Sequence, residues 1–380
     1  MRPIQLTLFL SLALGIGGCK SLPFLRPKPT PSPTPRPAPK PPAIDYAALK
    51  PNELGRIPIV MYHHIGKDPK DTKLSRTVAS FNRDLDLMYK HGWYPVNLSA
   101  LLDDKIEVPA GKKPIVLTFD DAWVSQFKLI DKGANLQVDP NCAVGLIEAF
   151  CKSHSDWKPR ATFFCLPPSS FKKDTFDQPG LGGQKLKYLA DNGFEIGNHS
   201  TVHGSFAKYD AARVQKELGG AHAALAGLEP GVKIRTVALP FGVYPRNKAI
   251  WPYLLKGTYN GTSYRYDAAL LAAWQPNPSP SSKDYKPIQL QRISPEDIVN
   301  GLANWLKRLD RVSPYAAYVS DGDPNCISFP VEEKGKLNAA KVKAEGKLVN
   351  AYDPSQAIAS VSSSPAVGAT PAPTKPIVGM

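Results

Sequence analysis

The sequence predicts an α/β fold, a closed or nearly closed (β/α) barrel of about seven strands in a single domain. Three observations carry that prediction. Short apolar, β-branched runs recur from Ile57 to Val319, amphipathic stretches of helical length separate them, and two of the runs end in side chains that bind protons or metals. Repeated strand-then-helix units make a parallel sheet with helices outside it, and about seven such units in one domain favour closure. A strand that ends in acids places charge where a buried sheet opens to water.

In chain order, Ile57 to Tyr62 reads as a strand, Phe81 to His91 as a helix with apolar residues at 81, 85 and 88, and Tyr94 to Leu98 as a strand. Strands follow at Ile115 to Phe119 and Ala161 to Leu166, then a helix at Gln184 to Asn192 and a strand at Phe194 to Gly197. Ala211 to Ala226 is an Ala/Leu-rich helix, Thr236 to Leu239 a strand, Ala268 to Ala273 apolar, Pro295 to Arg308 a helix and Tyr315 to Val319 a late strand. The segment Ile130 to Pro159 fits this rhythm poorly and reads as an insertion on the loop after the Asp120-Asp121 strand, at the mouth of a barrel. Asp321-Gly322-Asp323, after the last strand, reads as a tight turn.

Both ends of the 380-residue chain have compositions that cannot build a core. Residues 1–18 carry Arg2 after the first Met, run apolar from Ile4 to Ile16 with only Gln5, Thr7 and Ser11 interrupting, and end in two glycines before Cys19; the run is too short to span a bilayer and reads as a signal-peptide core. Small residues before Cys19 resemble the lipobox of bacterial lipoproteins, so Cys19 is the expected lipidation site. Residues 19–42 are a Pro-rich, Lys/Arg-sprinkled linker without an acid, extended by composition. Residues 43–350 remain for the globular domain, and residues 351–380 form a low-complexity tail of Ser, Ala, Pro, Thr and Val. The expected location is therefore outside the cytoplasm, on a membrane-anchored lipoprotein facing the periplasm or cell exterior.

Of the net charge of +14, six positives fall before residue 43, which leaves a basic domain of +8. Such a surface suits anionic partners such as envelope polymers or lipid headgroups, or is simply a soluble charged surface. No nucleic-acid motif is present. Cys142, Cys151, Cys165 and Cys326 are an even set in a chain that reads as exported, and allow three full pairings. Cys142 with Cys151 is the first expectation, and Cys165 reads equally as a buried thiol.

Asp120-Asp121 and the pair His199, His203 supply three ligands for one metal and a spare carboxylate. A metal that binds substrate oxygen and activates water needs three protein ligands and an open position, and two His with one carboxylate provide them. Beside a cation at Asp121, Asp120 stays ionised and suits a general base.

Thr118-Phe119-Asp120-Asp121, Ala161-Thr162-Phe163-Phe164 and Gly193-Phe194-Glu195-Ile196-Gly197-Asn198-His199-Ser200-Thr201-Val202-His203 together resemble the polysaccharide deacetylase family, also called the NodB-homology domain, in motif, order and spacing. Leu239-Pro240-Phe241-Gly242 resembles its Pro-aromatic-Gly motif. The resemblance covers roughly residues 56 to 330. It implies a distorted (β/α) barrel, a single catalytic domain, and one divalent metal ion, zinc first, with cobalt, nickel and ferrous iron accepting the same ligands. It also implies that Asp120 is the base, that Asp121, His199 and His203 hold the metal, and that the backbone near Phe241 polarises the acetyl carbonyl. The implied reaction is hydrolysis of an N-acetyl amide on an amino-sugar polysaccharide.

Three positions depart from that family. No His follows His222 to protonate the leaving amine, Ala238 stands where the family has Arg, and Ala122 where it has Gly. The segment Tyr62-His63-His64 resembles the N-terminal Tyr-His motif of the subgroup that deacetylates poly-β-1,6-N-acetylglucosamine, which makes His63 the expected acid and His64 a structural neighbour. His91, His154 and His222 read as structural. Trp123, Phe241 and Tyr244 are candidate walls or sugar-stacking platforms. Peptidoglycan or chitooligosaccharides are the alternative substrates, another amide is a weaker one, and a catalytically impaired carbohydrate-binding envelope lipoprotein is the alternative of another class.

Overall fold

A computed structural model describes residues 45–355, except 134, 273 and 312–314. The expected signal peptide, the linker, Cys19 and the tail beyond residue 355 lie outside the described residues. Seven strands form the central sheet: β1 (Ile59–Tyr62), β2 (Trp93–Pro95), β3 (Lys113–Asp120), β4 (Thr162–Cys165), β5 (Glu195–Asn198), β6 (Ile234–Ala238) and β7 (Ala268–Leu270). Their order is β7-β6-β5-β4-β3-β1, all parallel, with β2 paired to the first half of β3. Helices α1 (Val78–Lys90), α2 (Ala143–Ser153), α3 (Gly182–Asp191) and α4 (Ala211–Leu228) are crossovers between successive strands. The α/β barrel class and the strand number are those expected.

Local chemistry explains the elements. The Thr77 side chain accepts from Ser80 N–H and starts α1, which turns Phe81, Leu85 and Met88 into the core. In the sheet, Tyr62 is opposite Phe119 and Phe119 opposite Phe163, with ring centroids 5.4 and 4.9 Å apart. This stacked aromatic layer lies one residue before Asp120 and seats the end of β3 on a water-free floor.

Edges β1 and β7 do not meet each other. The segment 290–293 runs between them: Leu271 N–H donates to Leu290 O, Ile293 N–H to Ile59 O and Met61 N–H to Ile293 O. Single parallel bridges, Leu270 to Leu290 and Val60 to Ile293, close the barrel there.

Several boundaries differ from expectation. Pro58 divides the first run into a two-residue strand (Arg56–Ile57) and β1. The last helix, α5 (Leu302–Leu309), starts later than Pro295 because Gly301 serves as its N-cap. Residues 315–319 make only single bridges, Ala317 to Arg56 and Val319 to Asn52. In the presumed insertion, only the hairpin Leu129–Asp131/Leu136–Val138 interrupts the rhythm, since α2 is an ordinary crossover. Strand Leu348–Tyr352 pairs with Cys326–Pro330, so the fold continues past residue 350. Asp321 Oδ1 accepts from Asp323 N–H in the expected turn.

The Cys142–Cys151 pairing does not occur, and all four cysteines are free thiols. Cys142 is the N-cap of α2 and Cys151 lies in its last turn, and nine residues of helix span about 13 Å, beyond the ~7 Å limit between bridged Cα atoms. Cys165 is a buried thiol. Among the described residues no helix is long and apolar enough to cross a membrane.

Candidate metal centre and active site

Asp120 is the last residue of β3, and the chain turns out sharply after it. Asp121 and Ala122 both take left-handed backbone, φ 77° and 52°, so the Ala at the family's Gly position adopts the glycine-like conformation despite its Cβ. His199 follows the last residue of β5, and His203 closes a tight loop with φ 51°. The carboxyl ends of β3 and β5, on either side of β4, thus bring these four residues together.

Asp121 Oδ1 lies 3.3 Å from His199 Nε2 and 3.3 Å from His203 Nε2. It is buried and accepts no hydrogen bond, an orphaned acceptor flanked by two imidazole nitrogens, and this donor set fits a divalent cation. The supports are specific. His199 Nδ1 donates to Ala238 O at 2.9 Å, which leaves Nε2 as the free lone pair. Trp123 Nε1 donates to Asp121 Oδ2 at 3.0 Å and turns Oδ1 toward the histidines. Buried Glu217 on α4 accepts from Thr201 and Val202 N–H, both at 3.2 Å, and fixes the loop between the two histidines.

Asp120 is gripped by Arg292, whose Nη1 and Nη2 donate to Oδ1 and Oδ2 at 2.6 and 2.7 Å. Arg292 Nε donates to Leu271 O at 2.8 Å, which aims the fork inward from the segment that closes the barrel. Burial alone pushes the Asp120 carboxyl up, but Arg292 and His199 more than offset it and hold it below the usual carboxylate range. Asp121 is likewise held down against burial, by His199 first.

His63 is next to β1, and the structure separates it from His64. Fully buried Gln126 donates to both His63 O and Asp120 O, tying the imidazole-bearing chain to the end of β3. The His63 imidazole faces Asp120, Asp121, Arg292 and His199, and burial lowers its pKa despite the two carboxylates. His64 turns the other way: Nδ1 meets Ser125 Oγ at 3.2 Å and the ring stacks on Trp123 at 4.6 Å. Burial and Lys67 push His64 down to about 4.

The expected aromatic walls divide. Phe241, 64 % exposed with φ 59°, stands 4.8 Å from the His203 ring. Tyr244 packs on Trp251 and its hydroxyl donates to Ile288 O, so its polar end is used within the fold. Trp123 supports Asp121 and has His64 and Lys172 over its ring. Exposed Phe171, not singled out from sequence, stacks on His203 at 5.8 Å from the loop after β4. Arg292, Gln126 and Glu217 were also missed. The only sequence mark of Arg292 is the preceding alternation of Ile288, Gln289, Leu290 and Gln291, which reads as extended chain.

Residues 107–254 match the family model for polysaccharide deacetylase. That span carries a polysaccharide deacetylase domain. Its enzyme class is therefore that of a deacetylase hydrolase, in a family that is metal-dependent and acts on amino-sugar polysaccharides. Among solved structures, the domain is similar to the Streptococcus pyogenes deacetylase PplD in complex with acetate, at 19 % identity over 63 % of this chain and 92 % of that one, with a TM-score of 0.46. It is similar to a polysaccharide deacetylase from Bacillus cereus, at 18 % identity over 63 % and 64 %, TM-score 0.45. It is also similar to IcaB from Ammonifex degensii, at 14 % identity over 67 % and 97 %, TM-score 0.43. No curated protein matches the chain.

Proposed function

We propose that this protein is an exported, lipid-anchored deacetylase that removes N-acetyl groups from an N-acetylglucosamine polymer, with poly-β-1,6-N-acetylglucosamine the favoured substrate. The observation that carries this reading is the convergence of His63 and Arg292-bound Asp120 on the trio Asp121, His199 and His203. The trio would hold one divalent ion, zinc first, which supplies Lewis acidity toward water and the acetyl oxygen.

This chain's own residues account for the proton transfers. Asp120, kept ionised and fixed in plane by Arg292, accepts the proton of the attacking water. His63, whose burial makes it a readier acid, gives a proton to the departing amine. The Phe241 ring stands beside the His203 ring, and the Phe241 backbone N–H is the donor assigned to the developing oxyanion. Phe241 and Phe171 offer apolar edges to a sugar ring. Lipidation at Cys19 and an extended linker would hold the domain away from the membrane facing the periplasm or cell exterior.

The reading of a non-catalytic carbohydrate-binding lipoprotein drew on a missing Arg and a missing late His. Arg292 and His63 bring both groups from other places in the chain, which favours the enzyme. Acetate release from poly-β-1,6-N-acetylglucosamine oligomers by the zinc-loaded protein tests the proposal, with chitooligosaccharides and peptidoglycan fragments in parallel. Release from one of the latter only would move the substrate to the alternative, and sugar binding without release from any would support the scaffold.

A further inference from the structure

A cavity of about 410 Å³ lies at the opposite end of the barrel from the metal ligands. Lys113 lines it and is the first residue of β3, whereas Asp120 is the last, and the strand between them is about 23 Å long. The cavity is therefore separate from the proposed reaction centre. Its volume falls in the range of small-molecule sites.

Two aromatic rings and four polar side chains define its wall. Tyr46 and Tyr352 line it with their ring centroids 5.0 Å apart, and the Tyr352 hydroxyl donates to Pro51 O at 3.0 Å, so this tyrosine offers its ring rather than its polar end. Asn52 also lines the cavity; it is 7 % exposed, and its Oδ1 accepts no hydrogen bond among the described residues. An unmade bond on a buried amide costs free energy, which a ligand that hydrogen-bonds the side chain lowers. Glu332, Lys50 and Arg311 line it as well and make no ion pair among the described residues. Lys113 and Asp310, the remaining charges of the lining, satisfy each other.

These groups suit a ligand that both donates and accepts. A phosphate or carboxylate at neutral pH mainly accepts and meets Glu332 as a like charge, and a purely apolar ligand leaves Asn52 unpaired. A sugar unit presents an apolar face to a tyrosine ring and hydroxyls that donate and accept, and an N-acetyl group adds an amide N–H and C=O. We infer that this cavity is an accessory carbohydrate site that holds one unit of an N-acetylated amino-sugar chain remote from the metal centre. Tyr352 lies against the sugar face, Asn52 and Glu332 take its donors, and Lys50 and Arg311 donate to its hydroxyl and acetamide oxygens. A polymer held here stays with the enzyme between turnovers, which raises the local concentration of acetylated units at the metal. The sugar class rests on the proposed reading of the protein as an amino-sugar polymer deacetylase.

The test is calorimetric binding of the fully N-acetylated β-1,6-linked tetrasaccharide to zinc-free Asp121→Asn protein, where no turnover interferes. The sugar should bind, and its affinity should fall about fivefold when Tyr352→Ala is added and about threefold when Glu332→Ala is added. Tyr352→Phe, which keeps the ring, should retain most of the binding. Glu332 is exposed, so its variant reads the site even if Tyr352→Ala loosens the contact with Pro51. Lys187→Met, on exposed α3, should bind as the parent does. Absence of binding, equal affinity in the parent and both alanine variants, or binding of inorganic phosphate in place of the sugar overturns the inference. Acetate release by the zinc-loaded wild type is measured alongside: its absence with Tyr352-dependent binding intact sinks the proposed reaction and leaves the accessory site standing.

Discussion

Arg292 Nη1 lies 2.6 Å from Asp120 Oδ1 and Nη2 lies 2.7 Å from Oδ2, a two-point grip between groups nearly sealed from water. Such a fork fixes the plane of the carboxylate and its charge together, which a single ammonium cannot do. Arg292→Met should therefore lower kcat about 100-fold with bound zinc unchanged, and Arg292→Lys should recover only part of it. Leaving Asp120 buried and alone costs about 3–5 kcal/mol, so Arg292→Met should also melt earlier, and Asp120→Asn/Arg292→Met should restore part of that loss. Steady-state rates, metal content and thermal melts check each statement; full activity in Arg292→Met would remove the residue from the mechanism.

His63 and His64 are adjacent in sequence but turned to different neighbours. His63→Gln should reduce kcat at least 100-fold while zinc content stays that of the wild type. His64→Gln should lose less than tenfold, because that ring supports Trp123 and Ser125 rather than the reacting atoms. The reverse ranking in the same assay would assign the acid to His64.

Glu217 touches neither histidine, yet it holds the backbone between them. Glu217→Gln should weaken zinc about tenfold in a chelator competition, with kcat at saturating zinc close to the wild type. A loss of kcat with unchanged zinc affinity would show that the loop serves substrate rather than metal.

Glu53, far from this site in sequence, is buried beside Asp321 and accepts from Tyr318 O–H and Ser328 N–H. Burial, then the Asp321 charge, raises its pKa to about 8 from 4.5. The folded protein thus holds a proton that the unfolded chain releases above about pH 4.5. That contribution is fully present below pH 4.5 and declines as pH rises through about 8, with a slope of up to ~1.4 kcal/mol per pH unit. The melting temperature should fall between pH 5 and 8, and Glu53→Gln should flatten that decline. A Glu53→Gln protein with the wild-type slope would place the proton elsewhere.

The barrel was legible because Ile115 to Phe119, Ala161 to Leu166 and Phe194 to Gly197 are short, apolar and separated by helical periods, which dictate parallel pairing wherever both faces are buried. Asp120, Asp121, His199 and His203 were legible because strand ends fix where their side chains emerge. Arg292 was not, since the segment that carries it forms only single bridges and gains its place from two edges more than 200 residues apart. Gln126 and Glu217 act on backbone groups, and no spacing in the sequence announces such a bond. The helix expected from Pro295 begins only at Leu302, where Gly301 is its N-cap.

Residues 290–293 join two edges of the sheet and thereby make the active site a gauge of the barrel's integrity. An opening of that strip away from Ile59 and Leu271 would withdraw the guanidinium from Asp120. Local opening of this kind takes less free energy than global unfolding. On heating, turnover should therefore fail several degrees before helical signal is lost, and added hydrogen bonding or a staple across the strip should raise the temperature of inactivation without altering any group that meets the substrate.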